Sequence, residues 1–311
     1  MQDQSRMTVG EWALLVLLSV LWGGSFFFSK IIVQQVPPFT LVLVRFALAA
    51  GVLGAYLKAQ RTPVPRTAAT WAAFAGMGAL NNLIPAALIA WSQQTIASGL
   101  ASILIATTPV FSILVAHCFT TDDRMSANKV VGVTLGVAGV AALVGTDTLD
   151  GSLRTVPGIL GCLGAALLYG FANVFGRRFK RLGIAPTVGA FGQLAATAVM
   201  VTPAALVFDR PWLLQPPSAV VWAAMIGLVL LSTALAYAIF FRLLASAGTT
   251  NISLVTLLIP VSAVLLGTLI LGERLSTLHY AGMALIGLGL VAIDGRAWTA
   301  LHLVAVQKTG G

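Results

Sequence analysis

Acidic side chains are scarce in this 311-residue chain: nine Asp and Glu stand against eighteen Lys and Arg, and charged residues make up only 9% of it. Soluble domains carry about 25%. With 58% hydrophobic residues, the chain has no polar surface to present to water. Cysteine is scarcer still. Cys118 and Cys162 are the only two, and they fall near opposite ends of separate apolar runs, which argues against a bridge and leaves the redox compartment unspecified. His117 and His279 lie near run ends, with no histidine at depth beside a serine, and Asp122-Asp123 has no second carboxylate pair with which to share a metal. Those gaps argue against an intramembrane protease or a metal-dependent, lipid-modifying enzyme. No cofactor or metal is expected.

What the chain does have is long apolar runs. They recur at 11–33, 39–58, 68–91, 97–119, 128–145, 157–178, 185–207, 218–240, 249–271 and 277–294, each with few or no charges and each long enough to cross the hydrocarbon core as a helix. The expectation is an all-α polytopic membrane protein with ten transmembrane helices. Glu11 and Trp12 lead straight into the first run, which is long enough to stay as a span rather than be removed as a signal. The net charge of +9 follows the connections. One set, with both tails, holds thirteen cations: Arg6, Lys58, Arg61, Arg66, Arg124, Lys129, Arg177, Arg178, Lys180, Arg181, Arg242, Arg296 and Lys308. The other holds three, Arg154, Arg210 and Arg274, while Lys30 and Arg45 lie within runs. This imbalance predicts both termini in the cytoplasm, and it accounts for the basic pI without a nucleic-acid partner.

The runs are also repeated. Ser102-(x6)-Pro109 with the polar exit Asp123-Arg124-Met125-Ser126 returns as Ser253-(x6)-Pro260 with Glu273-Arg274-Leu275-Ser276. Trp71-Ala72-Ala73 and Trp222-Ala223-Ala224 keep the same offset from those prolines; Gly132 and Gly139 match Gly282 and Gly289. Trp22-Gly23 with Lys30 matches Tyr169-Gly170 with Arg177, and Pro38 with Arg45 matches Pro186 with Gln193. A unit of half the chain has been duplicated, with halves expected at 1–150 and 151–311. Five spans is an odd number, so the second copy enters from the opposite side. Two inverted five-helix repeats around a central cavity follow from the count.

Several residues within the runs are candidates for that cavity. Leu21-Trp22-Gly23-Gly24-Ser25-Phe26 sets small residues beside aromatics, suited to a tight helix crossing or, through Trp22 and Ser25, to a cavity lining. Lys30 and Arg45 have no acidic neighbour in sequence, and a cation at mid-bilayer costs about 2.5–3.5 kcal/mol. Lys30 can snorkel and Arg45 can pair with Glu273 or with carbonyls; the functional alternative is that both hold a substrate carboxylate. Asn81-Asn82, ahead of Pro85, must bond other helices or a substrate, because amides are costly against lipid. At Thr107-Thr108-Pro109 the proline donates no bond and clashes with the Ile105 carbonyl, which then needs protein or a wet cavity to satisfy it. The second half adds Tyr169, Asn173, Tyr237 beside Ser232-Thr233, and Asn251, Ser253 and Thr256 ahead of Pro260. Any single hydroxyl among these can instead bond its own helical turn. Pro85, Pro109 and Pro260 are candidate gating bends. The run holding Gly132, Gly136 and Gly139 reads as scaffold or dimer face.

Trp22-Gly23, Pro38-(x6)-Arg45-Phe46, the mid-run prolines and the Glu273-Arg274-Leu275-Ser276 exit followed by glycine-rich runs resemble the EamA-type branch of the drug/metabolite transporter superfamily over nearly the whole chain. Within that branch the chain is most similar to bacterial exporters of aromatic and other amino acids, the YddG type. The resemblance implies a bacterial inner-membrane protein, a cavity walled by helices one to four and six to nine, and helices five and ten at the periphery. It departs from a strict repeat where Asp123 stands for Glu273. The expected function is export of amino acids, aromatic or other neutral ones, or of similar amphipathic metabolites, by alternating access as a monomer or weak homodimer. All nine acids fall at run ends or in loops. A proton-coupled multidrug or organic-cation exporter, which needs an intramembrane carboxylate, is therefore the weaker alternative.

Overall fold

The computed structural model describes residues 7–120, 126–149, 154–252 and 254–294. Asp122, Asp123, Arg124, Met125 and Ser253 lie outside them. Helices follow the apolar runs closely: α1 Val9–Ile32, α2 Pro38–Ala59, α3 Ala68–Ser92, α4 Ser98–Phe119, α5 Ala127–Leu149, α6 Val156–Arg181, α7 Pro186–Asp209 and α8 Ala219–Phe240, which continues to Ser246. Then come α9, a short turn Gly248–Ile252 followed by Val255–Ile270, and α10, Thr277–Asp294. Eight of these are long and apolar enough to cross a membrane, and the last two are shorter apolar helices. No strand occurs among the described residues. The protein is a multi-pass membrane protein, and its many outward apolar side chains, such as Val199 and Leu269, meet lipid.

Local chemistry sets the helix ends. Thr8 and Glu11 form a reciprocal capping box at the start of α1. Prolines 38, 157 and 186 stand in the first turns of α2, α6 and α7, where a missing N–H loses nothing. Gly183 and Gly272 adopt φ of +64° and +67° just beyond α6 and α9, a backbone shape other residues resist. The cysteines are both free, Cys118 exposed and Cys162 buried.

Two interruptions differ from the expected pattern. α4 is broken at Ala106-Thr107, so that Pro109 stands in the first turn of its second piece, Thr108–Phe119. In α9 the long piece starts at Val255 and runs on through Pro260 without a break. The expected break at Pro260 is thus corrected. A proline removes one ladder bond, which bends a helix without ending it when the rest of the turn is packed, and Pro260 is buried.

Packing joins the two halves throughout. α1 lies on α8 and α9, α2 on α7, α3 on α6 and α7, α4 on α6 and α9, and α5 on α10. Glycines make the closest approaches. A Cβ at Gly132 would stand 2.6 Å from the Gly289 carbonyl oxygen, and one at Gly139 2.8 Å from that of Gly282. Gly23 similarly abuts Ser262 and Ala263, while Gly170 abuts Phe111 and Ser112; Gly227 seats Phe28, while Gly76 seats Phe175. Without a hydrophobic drive between helices in lipid, such backbone contact supplies the attraction. The glycine face of α5, read as scaffold or dimer face, is covered by α10 of the same chain.

This predicts a sharp contrast along these helices. Gly132→Leu or Gly139→Leu should destabilise the protein by about 1–3 kcal/mol through overpacking. Gly287→Ala on α10, where an added Cβ meets nothing within 4 Å, should be tolerated. Thermal unfolding of detergent-purified protein distinguishes them, and equal losses at Gly132 and Gly287 would contradict the packing described.

Candidate functional site

One end of the bundle is fastened by polar groups. Lys30, near the end of α1, donates from Nζ to the carbonyls of Gln93 (2.6 Å) and Ile96 (2.8 Å) in the turn between α3 and α4. Glu273, just past α9, accepts from the Ser98 amide at 2.7 Å, the Ser98 hydroxyl at 2.9 Å and the Gly99 amide at 3.1 Å, capping α4. Asp209, at the end of α7, accepts from the amide (2.6 Å) and hydroxyl (2.9 Å) of Thr40 in the first turn of α2. Gln35 and Ser218 exchange two further bonds. Anions at helix starts and a cation on orphan carbonyls answer the groups that helix ends leave unpaired.

These contacts correct one expectation. Glu273 is not the partner of Arg45, because its two oxygens are taken by the start of α4. Lys30, also set among the substrate contacts, is held by the backbone of the α3–α4 turn.

The interior holds a second polar set. α3 carries a wide π turn at Ala79–Leu83 and α8 another at Leu230–Leu235, at counterpart positions 151 residues apart. Such turns are frequent at functional sites. In the first, Asn81 and Asn82 both donate to Gln193 Oε1 on α7, at 3.1 and 3.3 Å. In the second, Thr233 donates to the Leu228 carbonyl at 2.9 Å, while Ser232 Oγ is buried without a partner. The counterpart of Gln193 is Arg45 on α2, and α2 touches the second π turn. Here the symmetry fails. Arg45 makes no hydrogen bond or ion pair among the described residues, its Nε is buried and unpartnered, and its guanidinium lies 5.3 Å from the Phe46 ring centroid. Tyr169 of α6 and Tyr237 of α8 are within electrostatic range of it. One of the two sets, Asn81 and Asn82 with Gln193, is closed by hydrogen bonds across the halves; the other, Ser232 with Arg45, leaves a guanidinium nitrogen and a hydroxyl without partners among the described residues.

A cleft of ≈ 350 Å³ adjoins this set, lined from α2 by Ala49, Val52, Leu53 and Tyr56, from α7 by Thr187 and Leu194, and from α8 by Thr233, Ala234, Tyr237 and Ala238. The α2 residues continue the face that begins at Arg45, at steps of four, seven, eight and eleven.

The other candidates fall outside it. The Ser25 hydroxyl donates to the Trp22 carbonyl at 2.7 Å, and Trp22 stacks on Phe240 with centroids 5.5 Å apart. Thr107 and Thr108 donate to the carbonyls of Leu104 (2.6 Å) and Ile105 (2.7 Å). The carbonyl that Pro109 leaves without its ladder bond is thus answered by the neighbouring hydroxyl, with no cavity water needed. Asn173 donates to Ser112 Oγ at 2.9 Å, and Asn251 to the Ala247 carbonyl at 3.0 Å. Thr256 and Pro260 lie in α9, and Pro85 follows the first π turn. Ser232, Thr233 and Gln193 were visible in the repeat as polar residues at depth, but only the π turns show why they converge.

The model of the EamA-like transporter family matches residues 10–145 and again 156–293. The chain belongs to the EamA-like transporter family. Its activity is therefore transport rather than catalysis. Relatives within reach include "Uncharacterized transporter YoaV" of Bacillus subtilis (strain 168), 26% identical over 89% of this chain and 94% of its own length. "Uncharacterized inner membrane transporter YedA" of Escherichia coli (strain K12) is 29% identical over 90% of this chain and 89% of its own. "Probable amino-acid metabolite efflux pump" of the same strain is 26% identical over 94% and 97%. A solved protein crystal structure, 22% identical, superposes over 92% of this chain and 97% of its own with a TM-score of 0.60, which shows a shared fold.

The two charges, Glu273 and Arg45, should behave oppositely. Glu273→Gln leaves amides at the start of α4 under-satisfied and should lower stability by about 1–3 kcal/mol. Arg45→Gln removes a charge that has no ion pair among the described residues and places there the residue that its counterpart already is, so the melting temperature should rise. A fall of the same size for both would mean that Arg45 is held by a structural partner.

Proposed function

We propose that this transporter exports small amphipathic metabolites bearing a carboxylate, neutral and aromatic amino acids among them, by alternating access. The observation that carries the reading is Arg45: an interior guanidinium with no hydrogen bond or ion pair among the described residues and a buried, unpartnered Nε, whose planar donors suit a carboxylate. The unpartnered Ser232 hydroxyl on α8 and an adjoining apolar cleft complete an amphipathic site. The relative named as an amino-acid metabolite efflux pump agrees in substrate type.

The mechanism rests on two inverted five-helix repeats, 1–150 and 151–311, within one membrane domain. Three observations support it. The family model matches twice. The glycine contacts are reciprocal: Gly132 meets the counterpart of Gly139, and Gly139 the counterpart of Gly132, as a twofold axis requires. Finally, Asp209 ties the end of α7 to the start of its counterpart α2, and Glu273 the end of α9 to the start of α4, so counterpart helices run oppositely. A pair of near-equivalent halves has two near-equivalent packings around a central site. Release at the fastened end requires the Lys30, Glu273 and Asp209 contacts to open. The charge imbalance supports cytoplasmic termini, with the opposite end of the bundle on the same side of a bacterial inner membrane, and the covered face of α5 supports a monomer or weak homodimer.

Among the described residues the carboxylates lie at helix ends, so no interior acid is available to carry a proton against the substrate. Proteoliposomes should move an aromatic amino acid or a related carboxylate without a pH gradient, and Asn81→Ala, Asn82→Ala and Tyr237→Ala together should abolish movement while the protein stays folded. Strict dependence on a pH gradient, or full transport by the triple variant, would overturn the reading.

A further inference from the structure

The site is lopsided in charge. It offers a guanidinium to an anion, and among the described residues it offers no carboxylate to an ammonium: Glu11 is in the first turn of α1, Asp209 closes α7, Glu273 follows α9, and Asp147 and Asp294 stand in the last turns of α5 and α10. A zwitterionic amino acid seated at Arg45 would have its ammonium stripped of water with only hydroxyls, amide oxygens and ring faces to receive it, which is costly for a full charge. A monocarboxylate without an ammonium has no such deficit. We infer that the preferred cargo is a net-anionic amphipathic monocarboxylate, held by Arg45 at its head with its apolar body along the α2 face toward Leu53 and Leu194, and that Arg45 is what selects anions over zwitterions. This rests on the reading of Arg45 as the substrate's carboxylate site.

The cleft suits that body. At ≈ 350 Å³ it lies at the small end of small-molecule pockets, about 300–1,000 Å³, and between the hydroxyls of Tyr56, Thr187, Thr233 and Tyr237 its walls are apolar. An energetic consequence follows. Over a full cycle only the net charge of the cargo crosses the field, so a monoanion leaving a cell that is negative inside is drawn outward. The gain corresponds to about a 50-fold concentration ratio per 100 mV. Export needs neither a proton nor an interior acid, whereas a zwitterion gains nothing from the potential.

The test uses the purified full-length protein in proteoliposomes with potassium gradients and valinomycin setting the potential. Two pairs of probes share a body and differ in the ammonium: phenyllactate against phenylalanine, and 4-methyl-2-hydroxypentanoate against leucine. The expected result is at least tenfold more efficient uptake of the hydroxy acids, faster at inside-positive than at inside-negative potential, with the amino acids indifferent to potential. Arg45→Gln should erase the preference and Arg45→Lys should keep part of it. Equal or better uptake of the amino acids, hydroxy-acid uptake indifferent to potential, or an undiminished preference in Arg45→Gln overturns the inference while leaving carboxylate transport standing. Uptake of none of the four overturns both. Should Arg45→Gln fail to purify as a monodisperse protein, the wild-type comparison of the paired probes decides alone.

Discussion

Backbone amides and carbonyls at membrane depth have no water to turn to, and every departure from the helical ladder must be answered by a named group. In this protein most interior polar side chains are spent on that task. Thr107 and Thr108 answer the carbonyls at the α4 break, Thr233 the carbonyl opened by the π turn of α8, Lys30 the carbonyls between α3 and α4, and Glu273 the amides at the start of α4. This accounting isolates the site. Subtract the side chains that serve the backbone or one another, and Arg45 Nε and Ser232 Oγ are the buried polar atoms left without a hydrogen bond beside the α2–α8 contact, among the described residues.

The helices were legible because hydropathy alone drives them: each apolar run became a helix, and boundaries moved by only a few residues. The ninth run departed, since its proline sits inside a continuous helix. The polar residues were less legible. Lys30 and Arg45 look alike in sequence, both cations within apolar runs with no acid nearby. Their difference lies in what other helices bring to them: two carbonyls converge on Lys30, and no group among the described residues hydrogen-bonds Arg45. Glu273 was offered to Arg45 as a plausible acid near the membrane, although the start of α4 had the stronger claim on it. The π turns have no residue code, so the pairing of Asn81 and Asn82 with Gln193 could not be read from spacing.

The scaffold keeps its symmetry where packing needs it and abandons it where the cavity is lined. Gly132 with Gly289 and Gly139 with Gly282, Gly76 with Phe175 and Gly227 with Phe28, are counterparts in kind and in contact. Both π turns sit at the same place in their halves. Around them the chemistry diverges: the amides of the α3 turn close on Gln193 of α7, and the hydroxyl-bearing turn of α8 packs on α2, the helix that carries Arg45. Two halves can rock as equals about a shared axis while the substance between them meets a cation on one wall only.

That asymmetry bears on why an arginine is there at all. Glutamine at this place is already solved in the same fold, since Gln193 fits the equivalent position with both its neighbours satisfied. Arginine at 45 carries a charge that costs about 2.5–3.5 kcal/mol at depth on insertion scales, and no carboxylate among the described residues pairs with it. A structural role would be served at lower cost by the residue found in the other half. What glutamine cannot supply is a permanent positive charge with paired donors for a planar anion, and that is the one property of Arg45 that a passing carboxylate would use.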